Sequence, residues 1–338
     1  MGRQNRIRDF GELGKHFGIQ PEQKDIVQKL QVEEKEQPNI SWLYYKKYYH
    51  GLYSLRDEYD RKIDVTENKN KDSKIIEEYF EEENSNIINT VFEKEKRTIV
   101  PGLIRFELKT TYPGLLIGSG MIHETGLLGE AKLGFQFDHT TGLPCIPGSS
   151  IKGLLRSVFP YSIKDANPSD KKEIAKVDNY RKERISYLQN ITEIKTLGLN
   201  ESEIRVLEYA VFAGTNGKDA LKCQQRDVFF DAVITDAPKR FLGLDYITPH
   251  KPLKNPIPIK FFKILPNVTF SFSFKLYDTV LYKEKAYTPN GLKQTGFEVE
   301  GENVKVITAK KKIAIFKQIL LDFGVGAKTN VGYGQFSE

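Results

Sequence analysis

Four glycines, Gly324, Gly326, Gly332 and Gly334, flank Lys328, Thr329 and Asn330 in the stretch FGVGAKTNVGYGQF, Phe323 to Phe336. Glycine tolerates positive φ and lets a ligand or another backbone approach closely. Such a loop can press main-chain N–H groups and the Lys328 cation onto a polyanion; a compact turn between helix and strand would use the same residues. A second stretch, TGLPCIPGSSIKGLLRSVF, runs from Thr141 to Phe159. There Pro147, Gly148, Ser149 and Ser150 precede an apolar stripe of Ile151, Leu154, Leu155, Val158 and Phe159 at helical spacing, so Ser149 or Ser150 can serve as N-cap. Free donors and the positive end of the helix dipole can meet an anion at that start. Lys152 and Arg156, four apart, share a helix face. A third group, His123, Glu124, Glu130, Asp138 and His139, is scattered along one connection; such loops can hold catalytic groups, but ionisable loop residues are usually just solvated.

Two familiar glycine motifs do not fit. A P-loop needs Gly directly before Lys-Ser/Thr, between a strand and a following helix; here Ala327 precedes Lys328 and the helix comes first. The dinucleotide fingerprint fails on the same order of elements. The only two cysteines, Cys145 and Cys223, form no CxxC and have no His nearby in sequence, which argues against a zinc site or structural disulfide, and no cofactor is expected. No apolar run reaches the roughly 18 residues of a membrane span and the N-terminus lacks an apolar signal segment, so a cytoplasmic protein without membrane contact is expected. At 338 residues and 39% hydrophobic the chain can bury a sizeable core, and 17 Tyr with 21 Phe suit sheets with stacking surfaces. The net charge of +6 is uneven: residues 1–100 carry 18 Lys+Arg against 20 Asp+Glu, and residues 101–338 carry 33 against 25. The glycine loop thus belongs to the basic part, which permits nucleic-acid binding without requiring it.

The elements that must position these residues begin with a mainly helical, charged segment, 1–97. Within it Ile40 to Tyr53, ISWLYYKKYYHGLY, gathers one Trp and five Tyr around Lys46, Lys47 and His50. It reads as a base-stacking surface or, better, as an aromatic helix docked on the main domain or a partner, because so many rings are costly to leave in water. The main domain, 98–338, opens with a half-buried strand in which Ile104, Phe106 and Leu108 alternate with Arg105, Glu107 and Lys109. After the first helix come a helical insertion at 162–225, a strand over Arg226 to Thr235, and a Pro-rich projecting loop or arm, Phe241 to Pro258, with His250, Lys251 and Lys254 available. Two strands joined at Pro266-Asn267 follow, then an excursion at 281–308 with a hairpin around ENVKV. An amphipathic helix with Ile313, Phe316, Ile319 and Leu320 leads into the glycine loop and a closing strand. This order predicts an α+β fold approximating the split βαβ, ferredoxin-like (RRM-like) arrangement.

Taken together, GLPCIPGSSIKGLLRSVF and GVGAKTNVGYGQF resemble the RAMP superfamily of CRISPR-associated RNA-binding proteins. RDVFFDA, DYITPHK and the aromatic N-terminal helix resemble the sixth-subunit family of the Cmr module, the type III-B effector complex. The resemblance covers residues 100–338, and 40–60 loosely. It implies a RAMP core with helical insertions and a non-catalytic subunit at the end of the RAMP filament. Such a subunit holds the 3′ part of the crRNA and through it target RNA, beside other RAMP subunits and the small helical subunit. It places Gly148, Ser149, Ser150, Lys152 and Arg156, with Gly324, Gly326, Ala327, Lys328, Thr329 and Asn330, against the RNA backbone, where phosphate contacts position without reading sequence. Around Tyr246 to Lys254 it suggests an arm that wedges against the guide-target duplex or a neighbour. Cleaving members carry an Asp shortly before the helix start; here the loop offers Glu124 and Glu130, with Asp138 only later, which implies that cleavage is absent. The alternatives are a metal-independent endoribonuclease, with His123 as base and Lys132 or Tyr112 stabilising the developing charge, and a protein-only scaffold.

Overall fold

The structure, a computed structural model, describes residues 39–52, 69–94, 101–118, 125, 127, 129–162, 167, 169–216, 219–248, 258–281, 283–287, 294–298 and 305–338. His123, Glu124, His250, Lys251 and Lys254 lie outside these residues. The chain divides into two units, Met1–Asn39 and Ile40–Glu338, of which the second carries the elements below.

Strand β1, Ile104–Thr110, follows the alternation of its sequence: Leu108 and Thr110 point inward, and Arg105, Glu107 and Lys109 are exposed. Its antiparallel partner β8, Thr269–Lys275, alternates Phe270, Phe272 and Phe274 with Ser and Lys. The register sets Phe106 opposite Phe272, with ring centroids 5.4 Å apart. Each fully buried Phe contributes about 1.5–3 kcal/mol, so this face fixes the register of the pair. On the far side of β8 lie β4, Val228–Phe229, and β5, Ala232–Asp236. The sequence predicts one strand over 226–235, but the chain breaks at Phe230 and Asp231, where the Asp231 carboxylate turns away to bond a helix start. Next to β5 lie β3, Pro144–Ile146, and β2, Gln136–Phe137. The short closing strand β13, Phe336–Ser337, pairs with the end of β1. Every neighbouring pair is antiparallel, in the order β13-β1-β8-β5-β3-β2 with β4 beside β8.

The last helix, α7 (Ala309–Phe323), buries Ile315, Phe316, Ile319 and Leu320 and packs Phe316 at a tilt against Phe274 and Phe229. Helix α3, Gly148–Ser157, buries Ile151 and Leu155. The segment read as a helical insertion holds α4 (Lys171–Asn190), α5 (Thr192–Leu197) and α6 (Glu201–Glu208). Asp170 caps α4, and Asn200 with Glu203 forms a capping box on α6.

The Pro-rich stretch is not a plain loop. Its first half forms β6, Leu242–Ile247, paired with β7, Ile259–Ile264, in a two-stranded sheet of their own. This pair stays out of the central sheet. The excursion also differs from expectation. Lys283–Tyr287 (β10) pairs with Gln294–Glu298 (β11), whereas part of the ENVKV segment forms Lys305–Ile307 (β12) and returns to Thr279–Leu281 (β9).

The aromatic segment is docked. Helix α1 opens at Ile40–Trp42, widens to a π-helical turn over Leu43–Lys47 and continues to residue 52. Tyr44 and Tyr48 are buried and meet Phe262 edge-on. The Tyr48 hydroxyl donates to Asn84 Oδ1 (2.7 Å) on α2, Lys69–Ile88, and accepts from the Ala131 N–H (2.9 Å). Tyr48→Phe should therefore cost about 1–3 kcal/mol, because it strands a buried N–H and an amide oxygen. A melting temperature equal to wild type would show that these groups find other partners.

Candidate nucleic-acid interface

The glycine loop begins where α7 ends. Gly324 bonds back to Leu320 O at 3.0 Å, and the neck closes where the Val325 N–H meets Gly334 O at 2.9 Å. The loop then lies on the segment that follows β1. Ala327 N–H donates to Leu116 O (2.7 Å), Gly334 N–H to Gly114 O (2.8 Å), and the Thr111 N–H and hydroxyl both donate to Gln335 O (3.0 and 3.1 Å). Gly326 has φ +108°, and a Cβ there would sit 2.1 Å from Leu116 O; at Gly334, φ +72°, it would sit 2.1 Å from Val325 O. Of the two uses open to the glycines, these positions serve the approach of the protein's own backbone.

What faces outward is the crest between the glycine pairs. Lys328 adopts φ +60° and starts a single 3-10 turn, Thr329–Val331. Lys328, Asn330 and Val331 are exposed, while Ala327 and Thr329 are half-buried. The expected closing strand over Val331 to Phe336 is thus a turn first and a strand only at its end. A second anchor comes from β6. The Tyr333 hydroxyl donates to Asp245 Oδ2 at 2.6 Å, and Lys263 Nζ on β7 meets the same oxygen at 2.5 Å. Burial pushes the Asp245 carboxyl up, but the bonds from Lys263, Tyr333 and its neighbour's N–H hold it below the ordinary value. Burial and the bond to Asp245 raise the Tyr333 phenol. Sequence reading missed this tether; its one signal was a carboxylate between Leu244 and Tyr246 in a strand-like pattern.

At the other candidate, α3 starts at Gly148, after Pro147, with no side-chain cap. Ser149 and Ser150 are therefore not the N-cap; they are exposed residues of the first turn. The chain supplies its own anion here, because the Gly148 N–H donates to Asp231 Oδ1 at 2.7 Å. Lys152 is half-buried, with Nζ 5.7 Å from the Phe229 ring centre, and its charge acts on Asp227. Arg156 is exposed and acts on Glu208, whose carboxyl burial pushes up to about 7 despite the Tyr161 N–H and the charges of Arg156, Arg184 and Arg181. The shared face of Lys152 and Arg156 is as expected, but both cations also serve carboxylates of the chain. Among the described residues no hydrogen bond or ring contact links this helix start to the glycine loop; one rests on the β4–β5 break and the other on the segment after β1.

The carboxylates of the long connection are engaged where they are described. Glu130 accepts from the Tyr49 hydroxyl and from Thr125, and Asp138 accepts from the Thr140 N–H. Among the described residues no cluster of three or more His, Cys, Asp and Glu could hold a metal ion, and no helix is long and apolar enough to cross a membrane.

An antiparallel sheet backed by helices, with a glycine loop between the last helix and the last strand, defines an α+β protein whose outward-facing chemistry is a short polar crest. The chain belongs to the RAMP superfamily, whose family model matches residues 107–337. Among solved structures it is similar to a chain of the type III-B Cmr-beta assembly bound to cognate target RNA. That match has 19% identity and TM-score 0.48, covering 91% of this chain and 93% of that one. It is also similar to Cmr6 from Pyrococcus furiosus, at 23% identity and TM-score 0.37, covering 70% of this chain and 97% of that one. No curated protein matches.

Proposed function

We propose that this chain is a non-catalytic RNA-binding subunit of a type III-B CRISPR (Cmr) effector complex, of the sixth-subunit type, in antiviral defence in the cytoplasm. It caps the RAMP filament and holds the 3′ part of the crRNA through backbone contacts, beside other RAMP subunits and the small helical subunit. The family match carries this reading, because residues 107–337 include both the helix start and the glycine loop. The lateral order of β13, β1, β8 and β5, connected through α3 and α7, supports a ferredoxin-like core. The crest supports contact without sequence readout: it offers a cation and a side-chain amide on a loop bonded down on two sides. The engaged carboxylates Glu130 and Asp138 favour binding over cleavage.

The test is to purify the tagged chain from its host at moderate salt and identify the bound RNA. Repeat-spacer RNAs with other RAMP subunits, uncut by this chain alone, are the expected result; a lone chain that cuts RNA at a defined position would overturn it. In vitro, Lys328→Ala should weaken binding alike for unrelated single-stranded RNAs and lower the slope of log affinity against log salt by about 0.7. An unchanged slope would remove Lys328 from the interface.

A further inference from the structure

The turn after β1 carries Tyr112, which at 85% is the most exposed of the described large hydrophobic side chains. Its backbone is held firmly. Gly114 N–H bonds to Thr111 O at 2.8 Å inside the turn, and Thr111 and Gly114 are the two residues bonded to Gln335 and Gly334 of the glycine loop. The backbone that carries the ring is therefore fixed against the neck of the loop. Pro113 lies under Gly332, where an added Cβ would come within 3.4 Å of its Cδ, and the Tyr112 phenol is near enough to act on that of Tyr333.

Next to it the crest exposes Val331 at 66%, with Lys328 and Asn330 also in solvent. Asp245, which anchors Tyr333, is already bound by Lys263, and Lys328 is an exposed cation of the crest. One ring and one valine form too small an apolar surface for a protein partner, which needs a patch of several hundred Å². They are the size of one nucleobase. A ring face for a base beside a cation for its phosphate is the arrangement by which single strands are held without sequence preference.

We propose that Tyr112 is a stacking residue for one unpaired nucleobase of a bound RNA whose adjoining phosphate is held at Lys328. The inference rests on the RNA-binding reading above and adds a contact to the base face, so binding at this point requires a single strand.

The experiment measures affinity of the full chain for single-stranded RNA and for the same RNA made of abasic nucleotides, with wild type, Tyr112→Ala and Tyr112→Trp. Tyr112→Ala should weaken binding of the base-containing RNA about tenfold and leave the abasic RNA unaffected, while Tyr112→Trp should keep or improve affinity. So exposed a side chain should leave the melting temperature where it was, which separates the effect from misfolding. Equal affinity of Tyr112→Ala and wild type for base-containing RNA overturns the stacking role and leaves the RNA-binding reading standing. A wild-type chain that binds no RNA overturns both.

Discussion

Asp227→Ala should lower stability by about 3–5 kcal/mol, because it leaves an ammonium group buried without its counter-charge. Lys312 sits in the first turn of α7 and Asp227 just before β4; both side chains are 2% exposed and their charged atoms lie 2.5 Å apart. Burial raises the Asp227 carboxyl and lowers the Lys312 amine, and each partner's charge opposes that shift in the other. Removing the carboxylate forces Lys312 to give up its proton or to pull the start of α7 towards water. It also strips Lys152 of a nearby negative charge and the Tyr277 N–H of its acceptor. Asp227→Asn keeps an oxygen for Tyr277 and so isolates the charge. Combining it with Lys312→Met should recover most of the loss, since an absent pair costs far less than half of one. Melting temperature is the readout. An Asp227→Ala chain that melts with wild type would mean that Lys312 is solvated or otherwise paired.

Gly326→Ala should cost about 3 kcal/mol and, with it, the placement of the crest. Two terms add: an L side chain at φ +108° is strained by about 1–3 kcal/mol, and a Cβ 2.1 Å from Leu116 O must push the loop off the segment after β1 that receives it. The Ala327 to Leu116 hydrogen bond breaks when that happens. Gly332→Ala separates the terms. Its φ is +94° but its nearest neighbour, Pro113 Cδ, is 3.4 Å away, so it meets the strain with little of the clash. The expected order of melting temperatures is wild type, Gly332→Ala, Gly326→Ala, with RNA affinity falling in the same order. Equal losses for both variants would show that the close approach to Leu116 contributes nothing.

The elements that the sequence made readable are those whose side chains repeat with a local period. The alternation of Ile104, Phe106 and Leu108, the Phe270, Phe272 and Phe274 series and the stripe on α7 each encode one face of one element. What stayed hidden depends on partners distant in sequence. Lys312 belongs to the run Lys310, Lys311, Lys312, which reads as a solvated face; Asp227, 85 residues earlier, makes its burial tolerable. Asp231 looked like a strand residue until Gly148, 83 residues before it, needed an acceptor. Leu242–Ile247 was obscured by the prolines that follow, although its own six residues include Leu, Ile and Tyr suited to pairing. Of the candidate site, the glycine pattern and the helix start were visible. The tether from Asp245 to Tyr333 and the clamp on either side of Tyr112 were not, because backbone bonding between loops leaves no periodic trace.

Gly326 and Gly334 answer to Leu116 and Val325, which separates the loop into a frame and an insert. The frame states where the polypeptide must fold back on itself and would be required even if nothing were ever bound. Ligand preference is then written in the five positions between Gly326 and Gly332, 327 to 331, as in an exchangeable cassette. A randomised library confined to those five should leave most members folded while scattering their affinities widely. One confined to the glycines should do the reverse.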